Sequence, residues 1–94
     1  MYGVIIQVKV DRDCDGAMRV IIDDEVVPNA RQLPGFVGGS WFRSLKGGGA
    51  TAVMLFDSED AACAVAERAR QGPLMQRPVW SVYAIGTYEV LAQA

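Results

Sequence analysis

The sequence predicts an α+β fold whose elements follow one another in the order βαββαβ. Three observations indicate it. In the first ten residues, apolar side chains recur at every second position, as they do on one face of a strand. Two later stretches repeat apolar residues at the three- and four-residue spacing of a helix, and a glycine-rich run at 46–49 joins two further apolar stretches as a hairpin. Right-handed crossovers then give a four-stranded antiparallel sheet with both helices on one face, the ferredoxin-like arrangement. The 94 residues are expected to form a single domain, 1–94.

The first strand and the first helix are predicted from a change in the spacing of apolar residues, from every second residue to every third or fourth. The strand, Tyr2–Val10, has one wholly apolar face. Asp13 is expected to cap the helix that begins there, because apolar residues then recur at helical spacing. Pro28 has no N–H and clashes with the preceding turn, so the helix is expected to end or kink at 26–27.

The next two strands flank the glycine hairpin. Leu33-Pro34-Gly35 marks the turn out of the helix, and the second strand is expected over Phe36–Leu45. Gly38 and Gly39 interrupt this strand, which suits a β-bulge or a close backbone approach. The third strand, Ala50–Phe56, is apolar on both faces.

The second helix has clear start and stop signals. Ser58 is placed to cap its first turn. The apolar residues of its buried stripe are Ala62, Val65, Ala66 and Ala69. Gly72 and Pro73 end it, and after Pro78 the fourth strand is expected over Val79–Leu91.

Strand alternation assigns each residue to one of two sheet faces. The face toward the helices is expected to carry Val4, Ile6, Val8, Phe42, Ala52, Met54, Phe56, Val82 and Ala84. The opposite face is expected to carry Ile5, Gln7, Lys9, Val37, Trp41, Arg43, Thr51, Val53, Leu55, Ser81, Tyr83 and Ile85. The predicted order has no third helix to cover this opposite face, and an apolar patch of that size is unusual on a soluble monomer. The sequence therefore predicts a homodimer in which two sheets pack face to face.

The polar members of that face are the candidate pocket residues. They are Gln7, Lys9, Trp41, Arg43, Thr51, Ser81 and Tyr83. Between or within the paired sheets they are expected to line a ligand-sized cavity, since ligand sites favour interfaces. The alternative is that the same side chains only surround the edge of an interface that encloses no cavity.

The composition excludes several classes of function. The chain has no histidine, and so no imidazole for general-base catalysis or for zinc or haem ligation. A net charge of −2 argues against a nucleic-acid surface. The longest apolar run, 61–66, is far short of the roughly 20 residues that cross a membrane. With no basic leader and two lone cysteines, Cys14 and Cys63, the sequence predicts a cytoplasmic protein with free, buried thiols and neither metal nor cofactor.

Two motifs match only in part. The run Asp11–Gly16 has the aspartates and the glycine of the first half of a calcium loop. Ile22, however, stands where the bidentate glutamate is needed, so an acidic helix start is the preferred interpretation. The element order also occurs in RNA-binding RRM domains, but the aromatic residues that stack bases there are missing from the third strand here.

Three stretches carry a resemblance to a known group of proteins. They are Pro34-Gly35-Phe36 at the start of the second strand, Trp41 within it, and Phe56–Ala61 before the second helix. With the element order, they resemble the dimeric α/β-barrel superfamily, and within it the antibiotic biosynthesis monooxygenase-like group. The resemblance implies a homodimer whose sheets form a barrel with a ligand pocket on the sheet face of each protomer. In some members it implies oxygenation of aromatic polyketides without a cofactor. Haem-degrading members use a proximal histidine, which this chain lacks.

Three functions stay open at this point. The first is a cofactor-independent monooxygenase acting on a small aromatic or polyketide-like substrate. Arg43 or Lys9 would then stabilise the substrate anion, and Trp41 and Tyr83 would pack its rings. No general base stands out on that face. The second function is non-catalytic binding of a small apolar ligand, and the third is a structural barrel without a usable cavity.

Overall fold

The computed structural model describes residues 1–71 and 79–94. Its single sheet contains the four strands β1 (Tyr2–Val10), β2 (Phe36–Arg43), β3 (Gly49–Phe56) and β4 (Trp80–Glu89). All neighbours are antiparallel, in the order β2-β3-β1-β4. The predicted α+β, ferredoxin-like fold is confirmed. The predicted roles of Gly72, Pro73 and Pro78 lie outside the described residues.

The first crossover is helical but irregular. It consists of a 3-10 turn (Arg12–Cys14), α1 (Asp15–Ile21), a π-helical turn (Ile22–Val26) and α2 (Val27–Arg31). The cap predicted at Asp13 is wrong, because Cys14 occupies the N-cap position and makes no side-chain hydrogen bond there. The chain enters the helix through the 3-10 turn instead, where the Cys14 N–H donates to the Asp11 carbonyl at 3.0 Å.

Of the two predicted alternatives at 26–27, an end or a kink, the end does not occur, because the helical segment continues past Pro28. The π-helical turn directly precedes it, and the Val27 N–H donates to the carbonyl of Ile22, five residues back. The wider turn leaves room for the proline ring, and Pro28 stands in the first turn of α2, where its missing N–H costs no hydrogen bond. The segment therefore continues to Arg31.

The second helix, α3 (Glu59–Gln71), begins where the sequence predicts. The Ser58 hydroxyl accepts a hydrogen bond from the Ala61 N–H at 3.2 Å. The predicted stripe is confirmed, since Ala62, Val65 and Ala66 are buried and Ala69 packs half-buried against the core.

The central strands pair without irregularity, so the predicted faces are correct there. Val4, Ile6 and Val8 of β1 are buried together with Met54 and Phe56 of β3. These residues form the sheet side of the hydrophobic core, and we call the sheet face that carries them the helix face.

A β-bulge in β2 changes the faces of the residues that follow it. Phe36 pairs with Phe56, but the next pair joins Gly38 to Leu55, which leaves Val37 outside the ladder. A slip of one residue exchanges the two faces of a strand. The glycines thus mark a bulge, as predicted.

The faces predicted for the rest of β2 are consequently wrong. Trp41 pairs with Ala52 and Arg43 with Ala50, and both alanines belong to the helix face. Phe42 is turned to the opposite face, where 55% of it is exposed. The bulge has exchanged the predicted positions of these three residues.

A second bulge has the same effect in β4. Its register against β1 shifts at Tyr83, between Val82 and Ala84. Ser81 and Val82 keep their predicted faces, whereas Ala84 and Ile85 exchange theirs. Ile85 therefore packs against the core and not on the opposite face.

Gly35 connects the first crossover to the sheet and contacts the start of α3. Its φ is 76°, and its carbonyl accepts a hydrogen bond from the Asp57 N–H at 2.9 Å. A Cβ atom at Gly35 would lie 2.6 Å from Oδ1 of Asp57 and 2.9 Å from Cβ of Ala61. Both the backbone conformation and the available space therefore require glycine.

We expect Gly35→Ala to lower the free energy of unfolding by roughly 1–3 kcal/mol, because it adds a strained φ and two close contacts. Gly16→Ala in α1 is the matched control, since no atom lies within 4 Å of a Cβ atom there. The control is expected to be neutral or stabilising by up to about 1 kcal/mol. Urea denaturation followed by circular dichroism measures both. An equal loss in the two variants would contradict this account of the turn.

Candidate functional site

An apolar cavity of about 60 Å³ lies between the sheet and the first helical segment. Among the described residues, its lining consists of Ile6, Val8, Met18, Ile22, Val26, Trp41, Phe42, Ala50, Thr51, Ala52 and Trp80. The sheet forms its floor, and α1 with the π-helical turn forms its roof. We call it the helix-side cavity.

The floor of the helix-side cavity is open because two of its residues are small. Ala50 and Ala52 lie on the central strand β3, opposite Val8 and Ile6 of β1. Both alanines are only half-buried, although β3 has a strand on either side. A larger side chain at either position would fill the space.

The two tryptophans of the chain form the walls of the helix-side cavity. Trp41 lies on β2 and Trp80 on β4, the two edge strands, which are separated by roughly 14 Å at normal strand spacing. Trp80 is 7% exposed, whereas Trp41 is half-buried. Both tryptophans line the helix-side cavity.

The roof contains the least regular part of the helical segment. Met18 of α1 is buried, and Ile22 and Val26 stand at the two ends of the π-helical turn. Such turns occur frequently at functional sites. An apolar cavity that holds benzene measures about 150 Å³. The roof must therefore shift outward before a whole ring can enter.

The lining carries almost no polar chemistry. Among the described lining residues, polar groups are confined to the hydroxyl of Thr51, whose register position is on the face away from the helices, and the indole N–H groups of Trp41 and Trp80. Arg43 stands at the rim, because it is exposed and pairs with the lining residue Ala50. Its guanidinium is always charged, so it supplies positive charge beside an apolar space.

Four of the seven predicted pocket residues remain together on the face away from the helices. Gln7 pairs directly with Thr51, and Lys9 with Ser81. We call this face the open face. Its residues with side chains are Ile5, Gln7, Lys9, Ser40, Phe42, Thr51, Val53, Leu55, Ser81, Ala84 and Tyr88.

The other three predicted pocket residues lie elsewhere. Trp41 and Arg43 are on the helix face, and Tyr83 is left unpaired at the bulge of β4. The predicted cluster is therefore divided between the two sides of the sheet. Lys9 and Arg43, the two cations considered for one site, stand on opposite faces.

The sequence analysis missed the helix-side cavity because its residues looked like ordinary core. Met18, Ile22 and Trp80 have the spacing and apolarity of buried positions. The available signal was the pair Ala50 and Ala52 on a central strand, which leaves a gap between larger neighbours. Alternation alone could not connect this gap to Trp41, because the bulge reverses that residue's face.

A second, larger cavity of about 150 Å³ lies at the other end of the sheet. Its lining among the described residues is Tyr2, Glu59, Ala62, Cys63, Thr87, Tyr88 and Glu89. Its lining is polar, whereas ligand sites are mostly apolar with few polar groups. We therefore consider the smaller, apolar cavity the better candidate. Cys63 is exposed, which corrects the prediction that it is buried, and Cys14 is half-buried.

Metal and membrane sites are not evident in the part of the chain that the structure describes. No three acidic or cysteine side chains there come together as a metal site. Among residues 1–71 and 79–94, no helix is long and apolar enough to cross a membrane.

The chain has no significant match among protein-family models or among curated proteins. Solved structures do match over its whole length. HapK from Hahella chejuensis has a TM-score of 0.77 at 17% identity, covering 100% of this chain and 96% of its own. The haem degrader MhuD from Mycobacterium tuberculosis has a TM-score of 0.76 at 19% identity, covering 100% of this chain and 99% of its own. SnoaB, a cofactor-independent oxygenase from Streptomyces nogalater, has a TM-score of 0.73 at 14% identity, covering 98% of this chain and 94% of its own.

These likenesses define a class of fold. The chain has the ferredoxin-like fold that is common to antibiotic biosynthesis monooxygenase-type oxygenases and a haem degrader. Its resemblance to that group is thus confirmed at the level of the fold.

The residues present do not fit a haem. The chain has no histidine. The fold likeness to MhuD therefore does not extend to this cofactor.

Proposed function

We propose that the chain binds a small, flat aromatic molecule in the helix-side cavity and oxygenates it without a cofactor. The observation that carries the proposal is an apolar cavity walled by Trp41 and Trp80 and floored by Ala50 and Ala52. Aromatic rings prefer offset-stacked or edge-to-face contacts with other rings, which two indoles at the sides of a flat floor can provide. We also propose, as the sequence predicts, that the protein is cytoplasmic.

The reaction that this site supports needs only the substrate and O2. An electron-rich anthrone, once ionised at its activated CH2 carbon, transfers electrons to O2. One oxygen atom becomes the new ring carbonyl, and the other leaves as water with the two hydrogens of that carbon. Arg43 at the rim would stabilise the substrate anion. No lining residue in the described part of the chain is an acid or a base, so the proposal assigns the proton to solvent at the open rim.

A test of binding compares two alanines on opposite faces of the sheet. Ala52 lines the helix-side cavity, whereas Ala84 lies on the open face, paired with Gln7. We expect Ala52→Leu to fill the cavity and weaken 2-naphthol binding at least tenfold in isothermal titration calorimetry. Ala84→Leu should leave the affinity unchanged.

The reverse pattern would place the ligand among the polar residues of the open face, as the sequence predicts, and would contradict the helix-side site. No binding by the unaltered protein would contradict the proposed function itself and favour a structural barrel.

A test of catalysis uses anthrone and an oxygen electrode. We expect oxygen uptake above that of buffer, and a loss on the order of 10- to 100-fold in Arg43→Gln, because a positive charge beside the developing anion is removed. Lys9→Gln removes the same charge from the open face and should change the rate little. Tight naphthol binding without oxygen uptake would contradict the oxygenase and leave the non-catalytic ligand binder.

We also propose that the open face is the interface of a homodimer. Phe42 and Tyr88 are each more than half exposed there, beside the half-buried Ile5, Val53 and Leu55. A contiguous apolar surface of this kind usually marks a protein interface. A second copy of the same face covers this apolar surface when the two chains are related by a two-fold axis. In this arrangement each helix-side cavity belongs to one protomer.

We expect sedimentation equilibrium to give twice the 10.2 kDa of one chain. Val53→Lys, in the middle of the open face, should weaken the dimer at least tenfold, because it buries a charge. Val20→Lys on α1, where the side chain is 57% exposed, is the control and should not change the mass. A monomeric unaltered protein would contradict the interface. Naphthol binding should survive in Val53→Lys, since Val53 does not line the helix-side cavity.

A further inference from the structure

Trp41 lines the helix-side cavity beside the alanines of its floor. Trp41 pairs directly with Ala52, so its side chain starts above the alanine floor. Directly opposed side chains on neighbouring strands normally contact each other, and a large ring beside an alanine has room to lean across it. The position of this ring therefore decides how much of the floor stays free.

The ring lies over Gly39 instead. A Cβ atom at Gly39 would be 3.2 Å from Cη2 and 3.3 Å from Cζ3 of Trp41, and 3.1 Å from the carbonyl oxygen of Val53. These distances are shorter than ordinary van der Waals contact at 3.4–4 Å. The far edge of the indole thus rests on the backbone of Gly39, at a place that any other residue would occupy with its side chain.

The backbone conformation does not explain why glycine stands there. The glycines with positive φ are Gly35, Gly47 and Gly48, so Gly39 has a conformation open to other residues. Gly38, its neighbour on the opposite face, would have no atom within 4 Å of an added Cβ atom. Gly39 differs from Gly38 in its surroundings, since the indole of Trp41 and the carbonyl oxygen of Val53 both lie close to it.

We propose that Gly39 is a positioning residue for the helix-side cavity. Its missing side chain lets the Trp41 ring lie along β2, away from Ala52, and so keeps the floor open for a flat ligand. A side chain at this position displaces the ring over Ala52 and closes the cavity from the β2 side. The part of this inference that concerns ligand binding rests on the proposed function, whereas the placement of the ring does not.

The test compares Gly39→Val with the matched control Gly38→Val, both made in the full chain. β-branched residues suit strands, so valine is compatible with β2 at either position. The protein is labelled with 5-fluorotryptophan, and its two fluorine resonances are assigned from the signal lost in Trp41→Phe. We expect Gly39→Val to shift the Trp41 resonance without ligand and to weaken 2-naphthol binding at least tenfold. Gly38→Val should do neither.

A double substitution separates the ring's displacement from a general disturbance of the strand. Phenylalanine is shorter than tryptophan, so in a Trp41→Phe background Gly39→Val should weaken naphthol binding less than twofold. Gly39→Ala should give the same changes on a smaller scale, and it provides the test if the valine variant does not fold. An unmoved Trp41 resonance, or a moved resonance with unchanged affinity, would overturn the inference. If the unaltered protein binds no naphthol, the proposed function fails, and the resonance still decides whether Gly39 positions the ring.

Discussion

The regular pairing of β1 with β3 is the constraint on which the rest of the structure depends. These two strands occupy the centre of the sheet and pair without irregularity from Tyr2–Phe56 to Lys9–Gly49. Their alternation turns Ile6 and Phe56 into the core and Ile5 and Val53 away from it. Because a one-residue slip would exchange these sets, the buried apolar face fixes the register of the whole sheet.

The edge strands follow this register only as far as their bulges. β2 slips at Val37 and β4 at Tyr83, so each edge strand presents one face before the bulge and the other after it. Bulges are common at sheet edges, where they increase twist and change the direction of side chains. Here the bulge in β2 brings Trp41 to the helix side, where Trp80 of β4 also lies, so the cavity has an aromatic residue at each edge of the sheet.

The sequence was sufficient to predict the fold, because each element carries its own signals. The alternation of β1, the Ser58 cap and the glycine hairpin are local features, and the structure has all three. The faces of β1 and β3 were also predictable, since period-two alternation holds wherever pairing is regular.

The candidate site was harder to predict, because it depends on features that alternation does not contain. Gly38 and Gly39 signal a bulge, but they do not show which residue leaves the ladder. The position of Val37 outside the ladder is what transfers Trp41 and Arg43 to the helix face. Pro28 presents a similar case, since a proline predicts a helix end unless a π-helical turn makes room for its ring.

The structure also divides between two faces the residues that the sequence predictions had combined on one face. The helix-side cavity lies between the sheet and the first helical segment, while apolar side chains are exposed on the open face. A fold of this kind does not choose its chemistry, as its occurrence in both an oxygenase and a haem degrader illustrates. The small apolar lining and the missing histidine are the basis of the proposal that this chain binds a flat aromatic ligand without haem.

A crystal structure of the protein with 2-naphthol tests the central claim most directly. The account predicts electron density for the ring between Trp41 and Trp80, above Ala52, with the π-helical turn displaced outward. Density for the ring on the open face beside Gln7 and Thr51, with the helix-side cavity unchanged, would contradict it.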